Sequence, residues 1–171
     1  VEPTRFAVAM PPVTLETMVP VVALAILCAV VSILFCKGLH WTERLLDRGF
    51  RSPWVRVLAG SVLLIGMSLL TNGDYNGAGM DVIARALGGL LGLPAGFGGA
   101  IGLVAVFCGA VNCPVASVLL SVELFGSAGA PYFAVACALS YLLSGYCGLY
   151  SSQTILYSKL RAEFINVRTH E

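Results

Sequence analysis

Two long stretches of this chain carry no charged side chain: Ala86 to Val122, and Leu124 to Ser158. Thr17 to Cys36 and Val57 to Gly73 are likewise uncharged. A bilayer core of roughly 30 Å is crossed by about 20 apolar residues in a helix, so each long stretch must fold back on itself. Of 171 residues, 11% are charged and 58% are hydrophobic, whereas soluble domains are about a quarter charged. A soluble globule of this size has no core large enough for so much apolar side chain. The reading is an all-α fold, a polytopic transmembrane helical bundle, with the lipid bilayer as its first partner.

The pattern divides the chain. Residues 1–17, broken by Pro3, Pro11 and Pro12, read as an extended connector. The membrane region runs over 18–163, with helices at about 18–38, 54–71, 80–87, 98–111, 115–125, 131–145 and 149–163, and a tail at 164–171. The first helix continues as a charged segment, His40 to Arg51, flanked by Trp41 and Trp54, rings that favour the headgroup level. Lys/Arg cluster there and again in the tail, at Lys159, Arg161 and Arg168, so the positive-inside rule puts both regions, and the C-terminus, in the cytoplasm. The chain opens at Val1 without the pattern of a signal peptide and reads as a fragment.

The helices from residue 98 onward are short. Asn112-Cys113-Pro114 and Gly126–Ala130 interrupt them. Broken backbone at membrane depth is tolerated only where protein buries it or it lines a wet cavity, and interrupted helices commonly build the ion sites of transporters. Small residues four apart, Gly98/Gly102, Ala105/Gly109 and Ala130/Ala134/Ala138, suit close helix packing. Glu123 is the one acid in the region, read either as an ion relay or as a structural carboxylate held by backbone N–H groups.

Other classes are weaker. A net charge of +1 argues against a nucleic-acid partner. The six cysteines form no C-x-x-C pair and lie in or beside apolar runs, so they read as buried apolar side chains, not as metal ligands or disulfides. There is no G-x-S-x-G, and the Gly-rich stretch at 88–99 lacks a following Lys-Ser/Thr, which leaves no enzyme signature and no cofactor. The hydroxyls of Ser117, Ser121, Ser140, Ser144, Ser151 and Ser152 suit a neutral lining for an anion better than for a cation. A transporter of another small solute, or a non-conducting membrane scaffold, remains the alternative.

The segment Val106–Gly126, VFCGAVNCPVASVLLSVELFG, resembles the CLC family of chloride channels and proton/chloride antiporters: a small-residue helix, a turn at Asn112-Cys113-Pro114, and a helix closing on Glu123-Leu124-Phe125-Gly126. PYFAVACALSYLLSG and GLYSSQTILYSKL are similar to the family's last two membrane helices. The resemblance implies the second half of the family's inverted-repeat fold, in a bacterial-type plasma membrane, with chloride as the transported ion. It implies a homodimer through the helices at 115–125 and 131–145. It assigns anion contact to Tyr150, whose match in the family points its hydroxyl at the central chloride, with Tyr157 as second choice. A phenol is a neutral donor and can replace one water of an anion's shell without holding the ion too tightly. Asn112, Pro114, Glu123 and Gly126 then serve as helix-break and structural positions. The family's first repeat, with its glutamate gate, has no counterpart here, which leaves channel and exchanger open and leads us to expect no conduction by this chain alone. Arg85-Ala86-Leu87 runs directly into Gly88-Gly89-Leu90 where another spanning helix is expected, either a deletion or a junction of two separated stretches.

Overall fold

The computed structural model describes residues 6–49, 52–70, 91–150, 152–161 and 163–168. The polar turn expected at 71–79, the short helix expected at 80–87, the Leu87/Gly88 junction and Ser151 lie outside the described residues.

Helix α1 covers Leu15–Gly49. Its start is set by a threonine pair: the Thr14 N–H donates to Thr17 Oγ1 (3.2 Å) and the Thr17 hydroxyl reaches the Thr14 carbonyl (2.9 Å), while Glu16 suits the positive end of the helix. Pro20 sits in the second turn, where its missing N–H removes one helical hydrogen bond. The apolar span and the charged segment after Lys37 form one continuous rod, about 50 Å long at 1.5 Å per residue. Among the described residues α1 alone is long and apolar enough to cross a bilayer by length and composition. Helix α2 covers Pro53–Leu70, and none of its described side chains is buried.

Three shorter helices follow: α3 (Ala95–Val111), α4 (Pro114–Phe125) and α5 (Ala130–Leu143), the last preceded by a single 3-10 turn at Ser127–Gly129. Asn112 ends α3 in the left-handed conformation (φ 58°), its N–H donating to the Cys108 carbonyl. Pro114 opens α4 in the first turn, where an absent N–H costs nothing. Gly126 ends α4 at φ 89°, a backbone that a Cβ opposes. At 1.5 Å per residue these helices reach about 18–26 Å, short of the bilayer core.

The core lies between α1, α3 and α5. Val21, Leu24 and Cys28 meet Phe97, Ile101, Val104 and Cys108, with Tyr132, Phe133, Ala136 and Cys137 from α5. The contacts keep step along the three helices. At one end Thr17 Oγ1 lies 2.8 Å from the Tyr132 hydroxyl, and the Phe97 ring meets Tyr132 edge-on with centroids 5.0 Å apart. Midway, the Ser140 hydroxyl donates to the Ala105 carbonyl (2.6 Å). At the other end His40 reaches Gly148, just past α5 (3.0 Å). The three helices therefore run parallel, and α4 returns alongside α3 and α5.

Gly109 is where they come closest. A Cβ there would stand 2.7 Å from Ser32 Oγ and 2.8 Å from Ser140 Oγ, the close approach that small residues permit. Gly98, Gly102 and Ala105 are buried on the same helix. The alanine stripe on α5 behaves otherwise: Ala134 and Ala138 are exposed and Ala130 half-buried, while Tyr132, Ala136 and Ser140 take the packed face. All six cysteines are free thiols; Cys28, Cys36, Cys108 and Cys137 are buried, Cys113 and Cys147 partly so.

The tail corrects the sequence reading. Instead of a helix over 149–163, the chain forms strands β1 (Thr154–Tyr157) and β2 (Phe164–Arg168), paired antiparallel with Thr154 opposite Arg168 and Ile155 opposite Val167. The tail expected from residue 164 onward is thus the second strand of a hairpin. The reason is compositional. Thr154, Ile155, Tyr157, Phe164, Ile165 and Val167 are β-branched or aromatic and favour a pleated surface, and short apolar runs do not distinguish strand from helix by period.

Candidate functional site

Parallel packing has an electrostatic consequence. The last carbonyls of a helix have no partner within it, and its C-terminal end carries partial negative charge. The ends of α3 and α5 share one end of the bundle, and the polar groups of the tail converge on them. The Leu149 N–H donates to the Ala110 carbonyl (2.8 Å) and Gln153 Nε2 to the Val111 carbonyl (3.3 Å). Asn112 Nδ2 donates to the Cys147 carbonyl (2.9 Å).

Lys159, in the turn between the strands, closes this arrangement. Its ammonium donates to Asn112 Oδ1 (2.5 Å), the Tyr141 carbonyl (2.8 Å) and Ser144 Oγ (3.3 Å) and stands 4.0 Å from the centre of the Tyr141 ring. All three donors are thereby used. Burial pushes the amine down to about 8, so it still holds its proton at neutral pH. Lys159 is thus a cation spent on two helix ends, a cap and not an open anion ligand.

His40 ties α1 to the same loop. Its Nε2–H donates to the Gly148 carbonyl (3.0 Å), and Nδ1 lies 3.3 Å from the Glu43 carboxylate. Beside this contact a cleft of about 1100 Å³ opens between α1 and the Tyr146–Gly148 loop, with Leu34, Lys37, Trp41 and Arg44 along its α1 wall.

The residues named from sequence are not gathered at one point. Tyr150 follows Leu149 at the C-terminal end of α3; its side chain is about half exposed, and its carbonyl accepts from the Gln153 N–H (3.0 Å). Tyr157 lies on β1 with its ring edge-on to Phe164 at 5.7 Å. Asn112 joins α3, the post-α5 loop and Lys159, and Pro114 begins α4 beside it. Glu123 and Gly126 stand at the other end of α4, with Glu123 on the exposed face that also carries Val115 and Leu119. The serine hydroxyls turn inward: Ser117 donates to the Cys113 carbonyl, Ser121 to Val118, Ser140 to Ala105 and Ser144 to Tyr141. Each of these four bonds backbone. Lys159 and His40 were not singled out from sequence. One signal was available for Lys159: it is the sole charge between Glu123 and Arg161, and a lone cation beside apolar helices belongs at a helix C-terminus.

With the geometry in place, comparison with known proteins adds the family context. A family model described as voltage gated chloride channel matches residues 2–97, more than half of the chain. The matched part ends in the first turn of α3, upstream of the 106–160 segments on which the sequence resemblance was drawn. A chloride/fluoride channel protein of Pseudomonas syringae pv. tomato is 48% identical over 77 residues, which is 45% of this chain and 17% of that protein. The chain thus spans less than a fifth of the length of the curated relative it matches. No solved structure matches the chain.

Proposed function

This chain belongs to the voltage-gated chloride channel family, and from that premise we propose that it contributes a helical wall to an anion-transporting membrane protein, with chloride or fluoride as the ion. The observation that carries the proposal is the family match over residues 2–97, seconded by a relative named for both halides. The short reversed helices α3 and α4 agree with it, since backbone breaks of this kind need protein or a wet cavity around them. Tyr150 is the proposed anion contact. Its backbone is anchored by the Leu149–Ala110 hydrogen bond next to it, while its phenol stays half exposed. The ends of α3 and α5 nearest to it are negative and already capped by Lys159, so these helices offer an anion little by themselves. Donors from elsewhere in a longer assembly complete the site. By the positive-inside rule the end bearing Lys37, Arg44 and Lys159 faces the cytoplasm.

The test is anion efflux from vesicles loaded with potassium chloride or potassium fluoride, with valinomycin present. The chain alone releases neither halide faster than protein-free vesicles. Within a family-length protein, Tyr150→Ala slows release by about tenfold, the scale of one hydrogen bond to a charged partner. Unchanged release would remove Tyr150 from the anion path.

One observation favours an additional role in assembly. Val115 and Leu119 on α4 present exposed apolar surface, and Ala134 and Ala138 on α5 are exposed. We propose that α4 and α5 pair with a second copy. Cysteine cross-linking in mild detergent at position 119 tests this: a monomer only, at every protein concentration, rules it out.

A further inference from the structure

The cleft between α1 and the post-α5 loop has an order that the transport reading does not use. Leu34, Lys37, Trp41 and Arg44 follow one another at helical spacing and share one face of α1. From Leu34 to Arg44 the helix rises about 15 Å. Along that rise apolar Leu34 is followed by a cation, an indole and a second cation. The facing wall supplies Tyr146 and Cys147. No acid among the described residues lines the cleft, and neither Lys37 nor Arg44 pairs with a carboxylate among them. Lys37, Trp41 and Arg44 are exposed.

We propose that this cleft is a binding site for an anionic phospholipid. The acyl chain lies along Leu34, the phosphate is held between Lys37 and Arg44, and the indole of Trp41 flanks it at the interface. Two features favour a lipid over free phosphate. A soluble anion gains nothing from Leu34 or from an exposed indole, whereas an amphipathic ligand matches these and the cations alike. The cationic end is also the end expected in the cytoplasm, where anionic lipids concentrate and basic pockets between helices hold their headgroups. Lys and Arg extend readily to that level while their stems stay on apolar surface.

The chain's two tryptophans, Trp41 and Trp54, make the test direct. In a Trp54→Phe protein, Trp41 is the sole indole. The protein is placed in phosphatidylcholine vesicles containing a graded fraction of phosphatidylglycerol, with bromine on the acyl chains of one lipid or the other. Brominated phosphatidylglycerol is expected to quench Trp41 at a mole fraction about tenfold lower than brominated phosphatidylcholine, the preference two nearby cations confer. Lys37→Gln with Arg44→Gln brings the two lipids within about twofold; both side chains are exposed, and circular dichroism checks that the helices persist. Equal quenching by both lipids overturns the proposal. So does a preference that survives the double substitution, or one of equal size at Trp54 in a Trp41→Phe protein, which would be general surface attraction. Loss of the preference in excess inorganic phosphate, with ionic strength matched by chloride, would assign the cleft to a free anion. None of these readings involves efflux, so the inference stands or fails apart from the transport proposal.

Discussion

The two ends of the α1–α3–α5 bundle are held together by different physics. At the helix N-termini the contacts are rings: Phe97 on Tyr132, Phe125 against Phe133 at 5.7 Å, and Phe6 from the N-terminal segment against Phe125 at 6.0 Å. Polar contacts there are few: the Tyr132 hydroxyl donates to the Pro12 carbonyl (2.7 Å) beside Thr17, and the Phe6 N–H donates to the Leu124 carbonyl (2.9 Å). At the C-termini the contacts are hydrogen bonds to carbonyls, organised by Asn112 and Lys159. Parallel helices explain the difference. Positive ends of helices can be closed by apolar packing and local caps, but several negative ends at one place call for donors and a cation.

Four changes probe this contrast, from the largest expected effect downward. Phe97→Ala opens a cavity among fully buried rings and should cost about 3–5 kcal/mol, read as lowered resistance to unfolding in mixed micelles. A loss under 1 kcal/mol would mean that the aromatic end is not tightly packed.

Lys159→Met leaves Asn112 Oδ1 and the Tyr141 carbonyl without their hydrogen-bond donor and should cost about 1–3 kcal/mol at pH 7. The same group predicts a pH signature. The Lys159 amine is near 8 when folded against 10.5 unfolded, so between those values the unfolded chain binds more protons. Stability therefore rises with pH across that window, once the cost of burying the charge is relieved. Unfolding curves at pH 7.5 and 9.5 should diverge in the native sequence and draw together in Lys159→Met. Identical pH dependence in the two proteins would show that Lys159 is not buried.

Tyr132→Phe removes the hydroxyl between Pro12 and Thr17 and should cost about 1 kcal/mol, with faster protease cleavage in residues 6–14 as the local readout. Gly66→Ala on α2 serves as the contrast outside the bundle. A Cβ there meets nothing within 4 Å, so helix propensity raises stability by about 0.5–1 kcal/mol. Destabilisation instead would reveal a neighbour against α2.

Much of the helical layout was legible because punctuation is local. Pro94, Pro114 and Pro131 stand at helix starts, and Asn112 and Gly126 at helix ends, where backbone conformation alone decides. The tail was misread for the opposite reason. Residues 154–157 have no punctuation that separates strand from helix, and the choice depends on pairing with 164–168 across the Lys159 turn. The polar end was less legible still. Asn112 reads as a helix break, but its bonds to Cys147 and Lys159 join residues 35 and 47 positions apart. Tyr150 was named by resemblance alone, while Lys159 passed as one more tail charge because nothing in its neighbours announces two helix ends folded onto it.

Helix α2 has a practical consequence. Val62, Leu63, Leu64 and Ile65 are all well exposed, so four successive side chains point oil outward around a full turn. A rod greasy on every side has no preferred orientation toward water and cannot be tucked away by rotation. Stripped of lipid or detergent, such molecules would clump through this rod first, and a surfactant collar wrapping it entirely is the minimum condition for keeping them dispersed.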